Sequence, residues 1–169
     1  MVKRYIHQPV ALAELESLQA LATDEEGAFF DRNPHLVRPY RNRLLLVALC
    51  QGAALQFLGR GYGVNDFDVH LFYAQNPAKP RLSRAVKRIS ATVGAFPNVA
   101  VDFVRTVVPP PYTSMGADPI DQIRNFLRKP PTANASHLAQ KAVIGLMPQS
   151  LFSTTVWPAA QHAPEATGG

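Results

Sequence analysis

The chain is expected to fold as an α/β domain, a mixed sheet flanked by helices with a helical C-terminal extension. Three segments carry that expectation. Asp66–Tyr73 alternates, with Asp66, Asp68, His70 and Phe72 on one side and Phe67, Val69, Leu71 and Tyr73 on the other, the period of a strand. Val99–Val108 is rich in valine and suits a second strand. Between them, Leu82, Val86, Ile89 and Val93 recur at helical spacing, with Arg81, Arg84 and Arg88 opposite, which predicts a helix over 81–93.

The other elements follow in order. Positions 9–22 read as a helix, with Pro9 in the first turn and Leu12, Leu15, Leu18 and Ala22 on one face, ended by Asp24-Glu25-Glu26-Gly27. Positions 28–42, broken by Pro34 and Pro39, read as loop or interrupted helix. Leu44–Cys50 is a continuous apolar run; a strand is chosen over a buried helix because Gly52 and the short amphipathic stretch Ala53–Leu58 follow. Gly59, Gly61 and Gly63 alternate, which marks a loop. Strand, helix, strand, helix, strand is therefore the expected order over 44–108.

After Pro109-Pro110-Pro111, Asp118 can cap a helix that has Pro119 in its first turn and Ile120, Ile123, Phe126 and Leu127 as its apolar side. A second helix is expected over about 135–146, stopped by Pro148. Phe152 and Trp157 read as packing anchors. The resulting division is an N-terminal helical segment 1–43, an α/β core 44–108, a helical extension 109–157 and a loose tail 158–169.

Composition narrows the function classes. With 169 residues, 47% hydrophobic and 17% charged, the chain can bury a core as one domain. Seventeen Lys and Arg against twelve Asp and Glu give a net charge of +5, which favours anionic partners. One cysteine, Cys50, excludes an intrachain disulfide and a cysteine-based zinc cluster. No apolar run nears the roughly 18 residues of a membrane span and no signal-peptide pattern opens the chain, so a reducing cytoplasm is the expected compartment. P-loop, dinucleotide-fingerprint, Gly-x-Ser-x-Gly and His-Glu-x-x-His patterns are absent.

What stands out chemically is three aspartates. Asp66 and Asp68, two apart on a strand, share a face about 7 Å apart at the backbone. Like charges this close repel, and no basic cross-strand mate is placed opposite them; a hard divalent cation resolves both problems. Asp102 is the only acid in Val99–Val104, and it joins the pair if the two strands lie side by side in register. The bland alternative is acids at a sheet edge or turn. Arg81, Arg84 and Arg88, with Lys87 at the margin, could bind nucleic acid or phosphate, or could be a solvated face. His70 reads as a metal ligand or a structural neighbour, and His137 and Lys141, four apart, share a helical face.

Gln51-Gly52-Ala53, then twelve residues, then Asp66-Phe67-Asp68-Val69, then a separate Val101-Asp102-Phe103, resembles the nucleotidyltransferase superfamily that includes the polymerase-beta-like enzymes. The likeness covers roughly positions 44–107. The Gln-Gly-Ala-Ala and Asp-Phe-Asp-Val words are similar to those of a bacterial group within that superfamily, which implies no defined substrate. The resemblance implies that Asp66 and Asp68 hold Mg²⁺, with Mn²⁺ as a substitute, and that Asp102 is the third metal carboxylate and the base for an acceptor hydroxyl. It implies a nucleoside monophosphate moved from an NTP, ATP among them, to that hydroxyl. Gly52 would let backbone approach the triphosphate, and Lys141 would contact the nucleotide. Ala53 departs from the usual Ser or Gly: it keeps a backbone N–H but has no hydroxyl. Leu55, Gln56 and Phe57 stand where a basic residue is common, with Arg60 the nearest substitute. Two alternatives stay open: an inactive fold of this type that senses nucleotide or binds protein, and a basic nucleic-acid-binding domain.

Overall fold

The computed structural model describes residues 5–79, 81–82, 85–110, 112–114 and 118–158. Its centre is one six-stranded mixed sheet in the order β3-β4-β2-β1-β5-β6. The strands are β1 (Leu44–Cys50), β2 (Asp66–Ala74), β3 (Lys87–Val93), β4 (Phe96–Val108), β5 (Val143–Met147) and β6 (Thr155–Trp157). β2 and β4 run parallel; every other neighbouring pair is antiparallel. The helices are α1 (Leu12–Arg32), α2 (Val37–Tyr40), α3 (Gln51–Phe57), α4 (Pro119–Arg128) and α5 (Ala133–Ala139).

Alternation along the strands divides the apolar residues between two faces. Phe67, Val69, Leu71 and Tyr73 of β2 meet Leu15, Leu18, Ala22 and Phe29 of α1 on one face. Phe72 of β2, with Leu46 and Ala48 of β1, meets Ile123, Phe126 and Leu127 of α4 and Leu138 of α5 on the other. Asp118 caps α4 as its sequence predicts: its carboxylate accepts from the Ile120 N–H at 3.0 Å.

Three expectations need correction. The segment 81–93 is not a helix. β3 occupies 87–93 and pairs with β4 through a tight hairpin, so the expected core order becomes strand, helix, strand, strand, strand. Ile89, Ala91 and Val93 alternate as well as they fit a helix, and β-branched residues favour the strand once β4 is there to pair. Gly94 turns the hairpin with φ +53°. A Cβ there would lie 1.8 Å from Glu14 Oε2, and the bare backbone lets Glu14 accept from the Ala95 N–H at 3.2 Å. This ties α1 to the hairpin. Of the proposed basic face, Arg81 is in irregular chain, Arg84 lies outside the described residues, and Arg88 is on β3.

α1 runs on past Asp24–Gly27 to Arg32. Its acidic stretch is held by basic residues that sequence order hides: Glu25 Oε1 accepts from Arg105 of β4 at 3.3 Å and from Arg32 at 2.9 Å. The expected helix 135–146 divides instead into α5 and β5. Val143 and Ile144 are both fully buried, on opposite faces, as in a strand covered on both sides. The C-terminal extension thus supplies helices α4 and α5 and also returns two strands to the sheet. The tail expected from 158 lies, from 159 on, outside the described residues and is not among these corrections.

Among the described residues no helix is long and apolar enough to cross a membrane.

Candidate metal centre

The parallel register of β2 and β4 sets Asp68 directly beside Asp102. Asp66 shares the Asp68 face two residues earlier. One carboxylate oxygen from each of the three lies within 4.8 Å of the others. They occupy the α4/α5 side of the sheet, at the end of β2 away from Phe72 and its apolar cluster. The next residue along that face, His70, is buried and stacks on Phe72 at 6.0 Å between ring centroids. The strand therefore changes along its length from apolar packing to an open acidic end.

Three hard oxygen donors this close are a donor set that fits a divalent cation. The electrostatics agree. Burial, then the charges of Asp66 and Asp102, push the Asp68 carboxyl up from 3.8 to about 7; the positive charges of Lys141 and Arg88 act in the other direction. An added cation relieves that strain, and the cluster can coordinate one as a metal-dependent centre of some kind requires.

The basic cross-strand mate that sequence reasoning did not place is Arg88. In the β3–β4 register Arg88 lies opposite Asp102, so Cys50, Asp68, Asp102 and Arg88 form one row across four strands. Its Nε and Nη2 donate to the two oxygens of Asp102 at 2.7 Å each, and Nη2 also reaches Asp66 at 3.2 Å. These bonds, chiefly to Asp102, raise the Arg88 pKa. The pair is not a buried one on both sides: the Arg88 side chain is 61% exposed, against 9% for Asp102. Its signal in the sequence was the period-2 alternation of 89–93, which would have put Arg88 on a strand. Cys50 closes the row as a buried thiol, pushed up by burial and by the Asp68 charge.

Beside the acids opens a cavity of about 320 Å³, lined by Asp66, Asp68, Gly52, Ala53, Lys141 and Tyr5 among others. Gln51 turns β1 into α3 with φ +64°, a left-handed conformation uncommon for a side-chain-bearing residue. That turn brings Gly52 and Ala53 to the cavity. A Cβ added at Gly52 would meet no atom within 4 Å, so the space beside this backbone is open to a ligand. Lys141 reaches the cavity from the turn between α5 and β5 rather than from a helix, so it does not share a helical face with His137. His137 lines a neighbouring cavity of about 490 Å³, which shares Gln51 and His70 with the first. Arg60, in the glycine loop, is exposed and is not among the residues lining either cavity.

The structure thus brings together Asp66, Asp68, Asp102, Gly52, Ala53 and Lys141, leaves Arg60 outside, and adds Arg88 and Tyr5. No family model matches the chain, and neither a curated protein nor a solved structure does.

Proposed function

We propose that this chain is a metal-dependent nucleotidyltransferase, which moves a nucleoside monophosphate from an NTP to a hydroxyl acceptor. The convergence of three carboxylates, two of which (Asp66 and Asp68) line a ligand-sized cavity, carries this reading. The resemblance of the Gly52-Ala53 and Asp66-x-Asp68 words, with a third acid on a later strand, supports it.

In this reading Asp66, Asp68 and Asp102 hold the cation. A bound Mg²⁺ or Mn²⁺ would supply Lewis-acid stabilisation of the transferred phosphoryl group and a more acidic acceptor hydroxyl. The open side of Gly52 gives phosphate oxygens close access to the backbone at the start of α3, where the first N–H groups have no intrahelical partner. Lys141 adds positive charge on the same wall. The acceptor oxygen attacks the α-phosphorus and the bond to the β-phosphate breaks. Pyrophosphate leaves, and Asp102 takes the hydroxyl proton.

Replacing Asp68 with Asn keeps the shape and removes a charge. The expected outcome is loss of Mg²⁺-dependent pyrophosphate release from NTPs by on the order of 10³-fold or more, with an unchanged circular dichroism spectrum. Turnover that survives in Asp68→Asn rules the mechanism out.

Ala53 favours a second reading. Without a hydroxyl beside the phosphate position, the site could bind nucleotide and metal as a sensor and not turn it over. Saturable Mg²⁺-dependent NTP binding with no pyrophosphate released would select that reading.

A further inference from the structure

Arg88 is the one cation hydrogen-bonded to the carboxylate cluster among the described residues, and its placement is unlike that of a permanent structural partner. It forks Asp102 with two bonds of 2.7 Å and reaches Asp66 at 3.2 Å. One guanidinium against three carboxylates leaves the cluster net negative when all are ionised. The side chain extends from the edge strand of the sheet and is 61% exposed, so it can leave without opening the core. It also stands at the rim of the cavity, because its Nη2 partner Asp66 is itself a lining residue.

We propose that Arg88 is the exchangeable counter-cation of this site: it holds Asp102 and Asp66 while the carboxylates are free of metal, and when a divalent cation takes them it turns to the phosphate oxygens of the nucleotide. The inference rests on the metal-dependent reading above. Two physical points argue for it. A cation that coordinates the oxygens of Asp102 and Asp66 competes with the hydrogen bonds Arg88 makes to those same oxygens. A planar guanidinium released beside them presents the same fork to phosphate that it presented to carboxylate. Arg88 is then a positioning residue with two partners in succession, and its loss acts in opposite directions on the two ligands.

The test uses the full chain with Arg88→Gln and Arg88→Lys, and two probes in sequence. The first is Mn²⁺ alone, followed by the electron paramagnetic resonance signal of free ion. The second is an α,β-methylene NTP analogue titrated at saturating Mn²⁺. Arg88→Gln is expected to bind Mn²⁺ about three- to tenfold more tightly than the unaltered chain, the scale of an exposed but bidentate ion pair. Its thermal midpoint without metal falls, and its affinity for the analogue falls several-fold. Arg88→Lys, which keeps the charge without the fork, lies between the two on both probes, and it carries the comparison if the Gln variant folds poorly.

A purely structural Arg88 would shift the thermal midpoint and leave Mn²⁺ affinity equal or weaker. That result overturns the exchange and leaves the metal-dependent reading standing. Tighter Mn²⁺ binding with unchanged analogue affinity overturns the second half of the proposal. Mn²⁺ binding by Arg88→Gln alone upholds the exchange in its strongest form. Saturable Mn²⁺ binding by neither protein removes the metal reading, and the exchange with it.

Discussion

Strand β4 carries an arginine–carboxylate cluster on each of its faces, and the two are built in opposite ways. On the α1 face Arg105 is 3% exposed, pairs with Glu25 at 8%, and lies 3.6 Å over the Phe29 ring. Here the cation is buried. On the other face the carboxylates are the more buried partners, three of them crowd together, and the cation over them is Arg88, mostly in water. A buried cation stacked on an aromatic ring fastens a helix to a sheet. An excess of part-buried acid beneath an exposed cation stores repulsion that another ion can relieve. Burial of the cation separates scaffold from candidate site, although both clusters contain the same kinds of charged group.

The comparison can be broken first at the scaffold. Arg105→Ala leaves Glu25 buried without its β4 partner, and a loss of about 3–5 kcal/mol is expected in urea denaturation. A loss near that of an exposed ion pair would erase the distinction between the clusters. Asp68→Asn should have the opposite sign. Removing one of three crowded charges is expected to raise the thermal midpoint of the metal-free protein above neutral pH, while abolishing any rise on adding Mg²⁺.

The pH dependence sharpens the same point. The folded-state pKa of Asp68, about 7, stands above its ordinary 3.8, so the folded chain binds this proton more tightly than the unfolded one. The stability it contributes is complete below about pH 4 and is lost as pH rises through 7. Metal-free stability measured across that window should fall by this contribution, and Mg²⁺ should offset the fall most at the alkaline end. Asp68→Asn should flatten the difference.

The smallest expected effect is at the cavity wall. Gly52→Ala projects a methyl group into open space and removes a helical glycine, so stability should hold or rise by up to about 1 kcal/mol, while calorimetry shows weaker NTP binding. Unchanged nucleotide affinity would mean that phosphate does not approach this backbone.

Much of the site is legible in the amino-acid order alone. The period of two in Asp66-Phe67-Asp68-Val69 places both acids on one face whatever lies beside them, and Asp102 stands out as the only acid in its strand. Gly52 is legible locally only as the turn after an apolar run; its place at the site is implied by the resemblance. Arg88 is not legible, because Leu82, Val86, Ile89 and Val93 satisfy a helical period while Ile89, Ala91 and Val93 satisfy a strand period. Only the neighbouring strand decides between them. Val143–Met147 carries the same ambiguity, as apolar residues on nearly every position suit a buried helix and a buried strand equally. The extent of α1 is hidden for another reason: Arg105, which partners Glu25, lies 80 residues away in the chain.

By itself the sequence determined which side chains share a face within β2 and within β4, because that follows from backbone geometry a few residues long. Tertiary structure alone decided that β2 and β4 run parallel with Asp68 beside Asp102, and that Arg88 arrives from a third strand to cover them. Strand pairing is set by contacts between distant segments, and its free energy is shared across the whole sheet, so no local pattern contains it.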